Sequence, residues 1–187
     1  MKNLSALAVA LVATVASAEM KLGTVDMVLL VRNHPNYDSN KELLSSTDKD
    51  YQKKLDAIKS EGEKIQSEGR QIAEQLNNPM LADKAKADLQ KQILDIQKKL
   101  VGIEQRYRSE AMRCRQDMQD LEGRLLKTTT DDLRRRLAKF AEEKEYDVIL
   151  DKSAAPFARP SYDVTDAVLI AMGIDPKDAK GRDDEGK

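Results

Sequence analysis

Residues 51–79 read YQKKLDAIKSEGEKIQSEGRQIAEQLNNP, and this stretch decides the fold. Apolar or small residues recur in it at alternating intervals of four and three, the heptad spacing of a helix that packs along a second helix. They are Tyr51, Leu55, Ile58, Gly62, Ile65, Gly69, Ile72 and Leu76. The stretch ends in Asn77-Asn78-Pro79, a signal that one helix stops before another begins. The pattern predicts a hairpin of two antiparallel helices.

The chain beyond Pro79 repeats the pattern and contains no proline until Pro156. Its apolar stripe is Leu89, Ile93, Ile96, Leu100, Ile103, Tyr107, Ala111, Cys114, Met118, Leu121 and Leu125. The two successive intervals of four around Tyr107 form a stutter, which unwinds a supercoil locally. We predict a helical-hairpin arm over residues 40–139 with its tip near residues 77–80. It should project into solvent, because each helix buries only a narrow stripe.

Three residues in the stripes have two interpretations each. Gly62 and Gly69 lie in the first stripe, where glycine costs about 1 kcal/mol against alanine in a helix interior. They allow either a close approach of the two backbones or a softened arm that flexes. Cys114, the single cysteine, is either simple packing in the second stripe or a cross-link between subunits.

The segments that flank the arm predict a discontinuous β-rich body over residues 19–39 and 140–176. A strand around Leu22 and Val25 precedes a short helix that Asp26 caps, and residues 146–151 form the second strand. A further strand at 155–158 and a helix within 162–173 complete the body. So small a domain is marginal alone, so we expect it to oligomerise through Leu22, Val25, Val148, Ile149 and Leu150. Residues 177–187 are polar and predicted to be a disordered tail.

The first eighteen residues are predicted to be a secretory signal peptide. Lys2 gives a positive start, residues 4–15 are apolar, and Ala16-Ser17-Ala18 is a small-residue cleavage site. An apolar run of about 12 residues is too short for a bilayer, which needs roughly 20. The mature protein should begin at Glu19 and leave the cytoplasm.

Composition argues against catalysis and against nucleic acid. The 33 acidic and 32 basic residues nearly cancel, and aromatics are 4% of the chain. His34 is the single histidine and has no cysteine or second base near it in sequence, so no metal, cofactor or catalytic site is predicted. The run Arg134-Arg135-Arg136 is flanked by acids. We interpret it as a solvated helix face, or as a contact for an acidic or lipid partner, rather than a nucleic-acid site.

Several segments together resemble one family, the Skp (OmpH-like) periplasmic chaperones. The likeness lies in Lys21-Leu22-Gly23-Thr24-Val25-Asp26-Met27, in the long charged hairpin, in Tyr146-Asp147-Val148-Ile149-Leu150-Asp151, and in Tyr162-Asp163-Val164-Thr165-Asp166-Ala167-Val168. The resemblance implies an α+β homotrimer shaped like a jellyfish, in which three helical arms hang from the assembled body around a cavity. The sequence pI near 6.0 differs from the basic members of the family and argues against carrying over lipopolysaccharide contact.

The resemblance also implies a function: an ATP-independent holdase that keeps unfolded outer-membrane proteins from aggregating. Helical walls offer such a client no strand edge to extend. Apolar residues beside the stripes are candidate client contacts, namely Met80, Leu81, Leu94 and Met112. The alternative is an exported coiled-coil spacer or adaptor that binds one folded envelope partner at its arm tips.

Overall fold

The structure, a computed structural model, describes residues 20–182. The elements in chain order are β1 (Leu22–Val25), α1 (Met27–Arg32), α2 (Tyr37–Leu76), α3 (Asp83–Glu143), β2 (Val148–Asp151) and α4 (Thr165–Ala171). Two short 3₁₀ turns, Lys152–Ala154 and Pro160–Tyr162, join β2 to α4. The predicted signal peptide lies outside the described residues. Residues 20–182 are thus mostly helical, with one small sheet.

The predicted hairpin is present as α2 and α3. At 1.5 Å per residue, the 40 residues of α2 extend for about 60 Å. The helices run antiparallel, since Gly69 lies against Ile96 and Gly62 against Ile103, while Asn40 near the other end hydrogen-bonds Thr129 at 3.4 Å. The tip between the helices is held by Asn78, whose side-chain oxygen accepts the Met80 N–H at 3.0 Å.

The sequence stripes become the interface of the hairpin. Ile58, Ile72, Ile96 and Cys114 are buried in it, and the other stripe residues are half-buried except one. Tyr107, predicted to lie in the interface, is exposed. Its side chain lines a groove together with Tyr51, Leu55 and Cys114, so the ring lies at the rim of the interface and is only partly covered.

A two-stranded parallel sheet joins the two ends of the chain, and the whole arm lies between its strands. Leu22 pairs with Val148 and Val25 with Asp151. Asp26 ends β1 and caps α1, its carboxylate accepting the Leu29 N–H at 2.8 Å. The predicted strand around Leu22 and Val25, the predicted strand within residues 146–151 and the predicted cap are therefore confirmed.

The core of the body lies under this sheet and includes part of α3. Leu133 is fully buried and Phe140 nearly so, and both pack with α1 and α4. Residues 133–139, predicted to belong to the arm, thus contribute to the body. The last turns of α3 supply the apolar surface that two short helices and two strands lack.

Two predictions about the end of the chain were wrong. Residues 155–158 do not form a strand; the Ala155 N–H instead closes a turn on Lys152, and Pro156 and Pro160 lack the N–H groups that a ladder requires. Residues 177–182, predicted to be disordered, are packed on the body, where Ala179 is 8% exposed. Residues 183–187 lie outside the described residues.

Candidate functional site

The two faces of the sheet differ in what covers them. Side chains alternate along a strand, and residues paired in register share a face. Val25 and Ile149 therefore share the face that packs on the core of the body. Leu22, Val148 and Leu150 share the opposite face, and there Leu22 is 41% and Leu150 47% exposed. We call these three residues the open sheet face.

This arrangement divides the five residues predicted to mediate oligomerisation. Val25 is buried within its own chain, so its side chain stabilises the body and is not available to a partner. Ile149 is half-buried against the same core. The three residues of the open sheet face remain candidates. Phe157 lies near them, highly exposed, beside a groove that Thr24 also lines.

The sheet also has an edge without a neighbour among residues 20–182. β1 pairs with β2 along one side and forms an isolated bridge through Thr24 to Asp163 on the other. The outer side of β2 pairs with no described strand. An unpaired edge beside an exposed apolar face is the surface that another chain can cover.

The candidate client contacts lie on the arm, and most are exposed. Met80 at the tip is 89% exposed, and Leu94 and Met112 on α3 are also exposed. Leu81 is half-buried under the tip, which leaves less of its side chain for a client.

Leu94 and Met112 belong to a longer pattern that the sequence analysis missed. They are separated by five helical turns and so lie on one line of α3, facing away from α2. Val101, also exposed, falls between them on the same line. We call these three residues the outer stripe. An 18-residue spacing is the signal that could have revealed it. Charged and polar residues separate its members, so no continuous apolar patch forms.

His34 has the partner that the sequence did not suggest. Its ring is buried, and Nε2 lies 3.1 Å from the Asp132 carboxylate. The Asn36 N–H donates to Nδ1 at 3.1 Å, so the ring proton is on Nε2 and is donated to Asp132. Both ring nitrogens thus have hydrogen-bond partners. The pair fastens the start of α2 to α3.

The arginine run is paired with acids on its own helix. Arg136 Nε donates to Asp132 at 2.6 Å, Arg135 to the same carboxylate at 3.0 Å, and Arg134 lies 3.6 Å from Asp131. The hydrogen bonds from Arg136 and from His34 hold the pKa of Asp132 well below its usual range. This pairing favours the solvated-face interpretation of the run.

The remaining stripe residues behave as packing. A Cβ atom on Gly69 would lie 3.1 Å from the Ile96 Cγ2, and one on Gly62 equally close to Ile103. This favours the close-approach interpretation of the two glycines. Cys114 is a buried free thiol, which favours packing over a cross-link. Two ion pairs also cross the hairpin, one between Lys54 and Glu110 and one between Arg106 and Glu61.

Comparison with protein families identifies a match. The family model described as "Outer membrane protein (OmpH-like)" matches residues 21–172. None of the curated proteins matches the chain. Within residues 20–182, no helix combines the length and the apolar character needed to span a bilayer. In the same part of the chain, no three His, Cys, Asp or Glu side chains converge as metal ligands would.

Proposed function

This chain belongs to the OmpH-like family, and from that membership we propose that it is an ATP-independent periplasmic holdase for unfolded outer-membrane proteins. The family comprises periplasmic chaperones associated with outer-membrane proteins, and its members are not enzymes. We propose further that the client is unfolded, that it binds along the helical arms, and that three copies of the chain assemble. Export through cleavage after Ala18 is part of it.

The observation that carries the proposal is the arm. The hairpin of α2 and α3, 40 and 61 residues long, buries one narrow stripe on each helix. Outside the last turns of α3, which pack in the body, the other faces of both helices are left to solvent. A client segment that lies along it meets side chains but no free backbone edge, so binding does not template β pairing. The outer stripe offers apolar contacts one at a time, several turns apart. Each contact is weak, and release therefore needs no nucleotide.

One arm cannot surround a client, so we propose that three copies assemble through the body. The open sheet face and the free edge of β2 support this part of the proposal. Covering Leu22 and Leu150 would remove apolar surface from water, at about 25 cal/mol per Å². Cyclic assembly would also satisfy the backbone groups along the unpaired edge. The arms of the three copies would then border a common cavity.

One observation favours the alternative, an adaptor that binds one folded envelope partner. Met80 is the most exposed of the large apolar residues at the tip, and a single apolar side chain at the end of a long arm suits a small contact with a fixed partner. The adaptor would need the tip and not the outer stripe.

A mass measurement with and without a client tests the two functions. The mature protein is mixed with a urea-unfolded porin, and the mass of each species is determined in solution while light scattering reports aggregation. We expect a trimer that takes up one client and keeps several unrelated porins soluble. A stable monomer, or a trimer that leaves every porin to aggregate, would contradict the holdase. A Met80→Ser variant separates the alternative, because an adaptor should lose its partner, whereas a holdase that keeps Leu94, Val101 and Met112 should retain most of its activity.

A further inference from the structure

The chain continues past the end of the family match and returns to the base of the arm. The match stops at residue 172, and Gly173 turns the backbone with a φ of +82°. Ile174 then packs against the core of the body, and Ala179 is buried in it. We call residues 174–182 the strap. The strap therefore lies outside the residues that the family model matches.

The strap binds the corner between α1 and α2 through Asn33. The Lys180 N–H donates to the Asn33 side-chain oxygen at 2.8 Å, and the Asn33 amide donates to the Lys180 carbonyl at 3.1 Å. The amide thus satisfies both backbone groups of Lys180, as a neighbouring strand would. The same amide donates to the Leu29 carbonyl at 2.8 Å, so one side chain joins the strap to the end of α1.

Two ion pairs anchor the strap on either side of this corner. Lys180 Nζ lies 2.6 Å from Asp38 in the first turn of α2. Arg182 pairs with Asp166 in the first turn of α4. Between them, Gly181 has a φ of +88°, which L side chains rarely adopt, and it lies against the Arg32 side chain, which would have to shift to admit a Cβ atom. The strap therefore connects α4 to the first turn of α2.

We propose that the strap is a conformational device that fixes the direction in which the arm leaves the body. Only residues 33–36 connect α1 to α2. Two other long-range hydrogen bonds hold this corner, from His34 to Asp132 and from Asn40 to Thr129, and both lead to α3. The strap ties the first turn of α2 to α4, so its loss lets α2 move relative to α4 and the body. This inference does not depend on the proposed function.

Hydrogen exchange followed by mass spectrometry tests the device in a double-mutant cycle. Asn33→Ala is measured in the whole mature chain and in a chain that ends at Gly173. In the whole chain we expect exchange in Tyr37–Leu44 to rise roughly tenfold, because two hydrogen bonds to the strap are lost. In the shortened chain the same substitution should change exchange less than about threefold, since the strap is already gone. Asn33→Ala also removes the hydrogen bond to the Leu29 carbonyl. This loss is the same in both chains, so it cancels when the two effects are subtracted.

Two controls define the outcome. A chain that ends at Arg182 keeps the strap and should exchange like the parent, and Asn36→Ala removes an amide that caps nothing with its side chain. If Asn33→Ala has the same effect in both backgrounds, Asn33 acts only as a helix cap and the proposal is wrong.

Should the shortened chain fail to fold, Gly181→Val replaces it. A β-branched residue cannot keep the positive φ, so the strap should leave Asn33 while Ile174 stays; unchanged exchange in Tyr37–Leu44 would overturn the proposal.

Discussion

The imidazole Nε2 of His34 lies 3.1 Å from the carboxylate of Asp132, 98 residues later in the chain. The same carboxylate accepts hydrogen bonds from Arg135 and Arg136, and the other ring nitrogen accepts the N–H of Asn36 at the start of α2. One acid therefore joins a buried ring, a helix start and two guanidinium groups at the base of the arm.

Removing this charge should weaken the base of the arm. In Asp132→Asn, His34 and Arg136 lose a charged acceptor in a partly buried site, and we expect the free energy of unfolding to fall by about 1–3 kcal/mol. Urea unfolding followed by circular dichroism measures the loss. Asp131→Asn is the matched control, because that acid pairs with Lys127 and Arg134, whose side chains are exposed. An equal loss in both variants would contradict a special role for Asp132.

The pH dependence of stability gives an independent check on Asp132. Its pKa in the folded protein lies below the ordinary value because of the hydrogen bonds from Arg136 and from His34. The contribution of the carboxylate is therefore complete above the pKa of an unfolded aspartate, about 3.9, and is lost as the pH falls through the folded pKa. We expect the urea midpoint of the parent to drop more steeply than that of Asp132→Asn below about pH 4. If the urea midpoints of the two proteins fall in parallel with pH, the Asp132 carboxylate does not contribute to stability in this way.

Alanine should stabilise the arm less at Gly69 than at Gly102. Nothing lies within 4 Å of a Cβ atom on Gly102, so Gly102→Ala should stabilise the protein by up to about 1 kcal/mol through helix propensity. Gly69→Ala gains the same propensity but presses on Ile96, which is buried and cannot move freely. We expect it to be less stabilising than Gly102→Ala by about 1 kcal/mol or more. Thermal unfolding of the two variants measures this difference in stability. If both variants are stabilised equally, the interface of the hairpin is loosely packed around Gly69.

The sequence predicted the arm well because its information is local and periodic. Every fourth and third residue from Tyr51 onward reports the same physical requirement, one buried line per helix, and Asn77-Asn78-Pro79 marks its interruption. The strand that begins at Val148 was predictable for a similar reason, because three consecutive aliphatic residues lie between Asp147 and Asp151. The stutter predicted a local change in the supercoil, but the spacing did not predict that Tyr107 would be exposed.

What the sequence did not reveal depends on residues far apart in the chain. No spacing rule connects His34 to Asp132 or Asn33 to Lys180, since each pair meets only after the arm has returned to the body. Val25 and Leu22 look alike as strand residues, and only the register with β2 tells which one enters the core. Residues 177–182 were polar enough to predict disorder, but Ala179 and the backbone of Lys180 find partners that composition does not show.

The outer stripe should contribute to client binding without contributing to the fold. Replacing Leu94, Val101 and Met112 together by serine removes three exposed apolar side chains, so the urea midpoint should change little. Affinity for an unfolded outer-membrane protein should fall roughly tenfold or more, as expected when a few weak apolar contacts are lost. Light scattering during refolding of a porin measures the effect. The matched control replaces three exposed glutamines of the same helix, Gln92, Gln97 and Gln105, by serine; if it impairs the protein equally, the stripe is not the binding surface.

A positive charge on the open sheet face should separate the copies of the assembly. Leu150 is exposed within one chain and pairs in register with Thr24, so Leu150→Lys leaves the core of the body intact and the helical content should be retained. In an assembly that covers this face, each lysine would be buried without a partner, which costs several kcal/mol per copy. We therefore expect sedimentation to report mainly monomer at micromolar concentration, whereas we expect the parent to sediment as a trimer. Ile170→Lys is the control, because Ile170 is at least as exposed but lies on α4, away from the sheet. A Leu150→Lys protein that keeps the mass of the parent would exclude the open sheet face as the assembly surface, whatever the parent's number of copies proves to be.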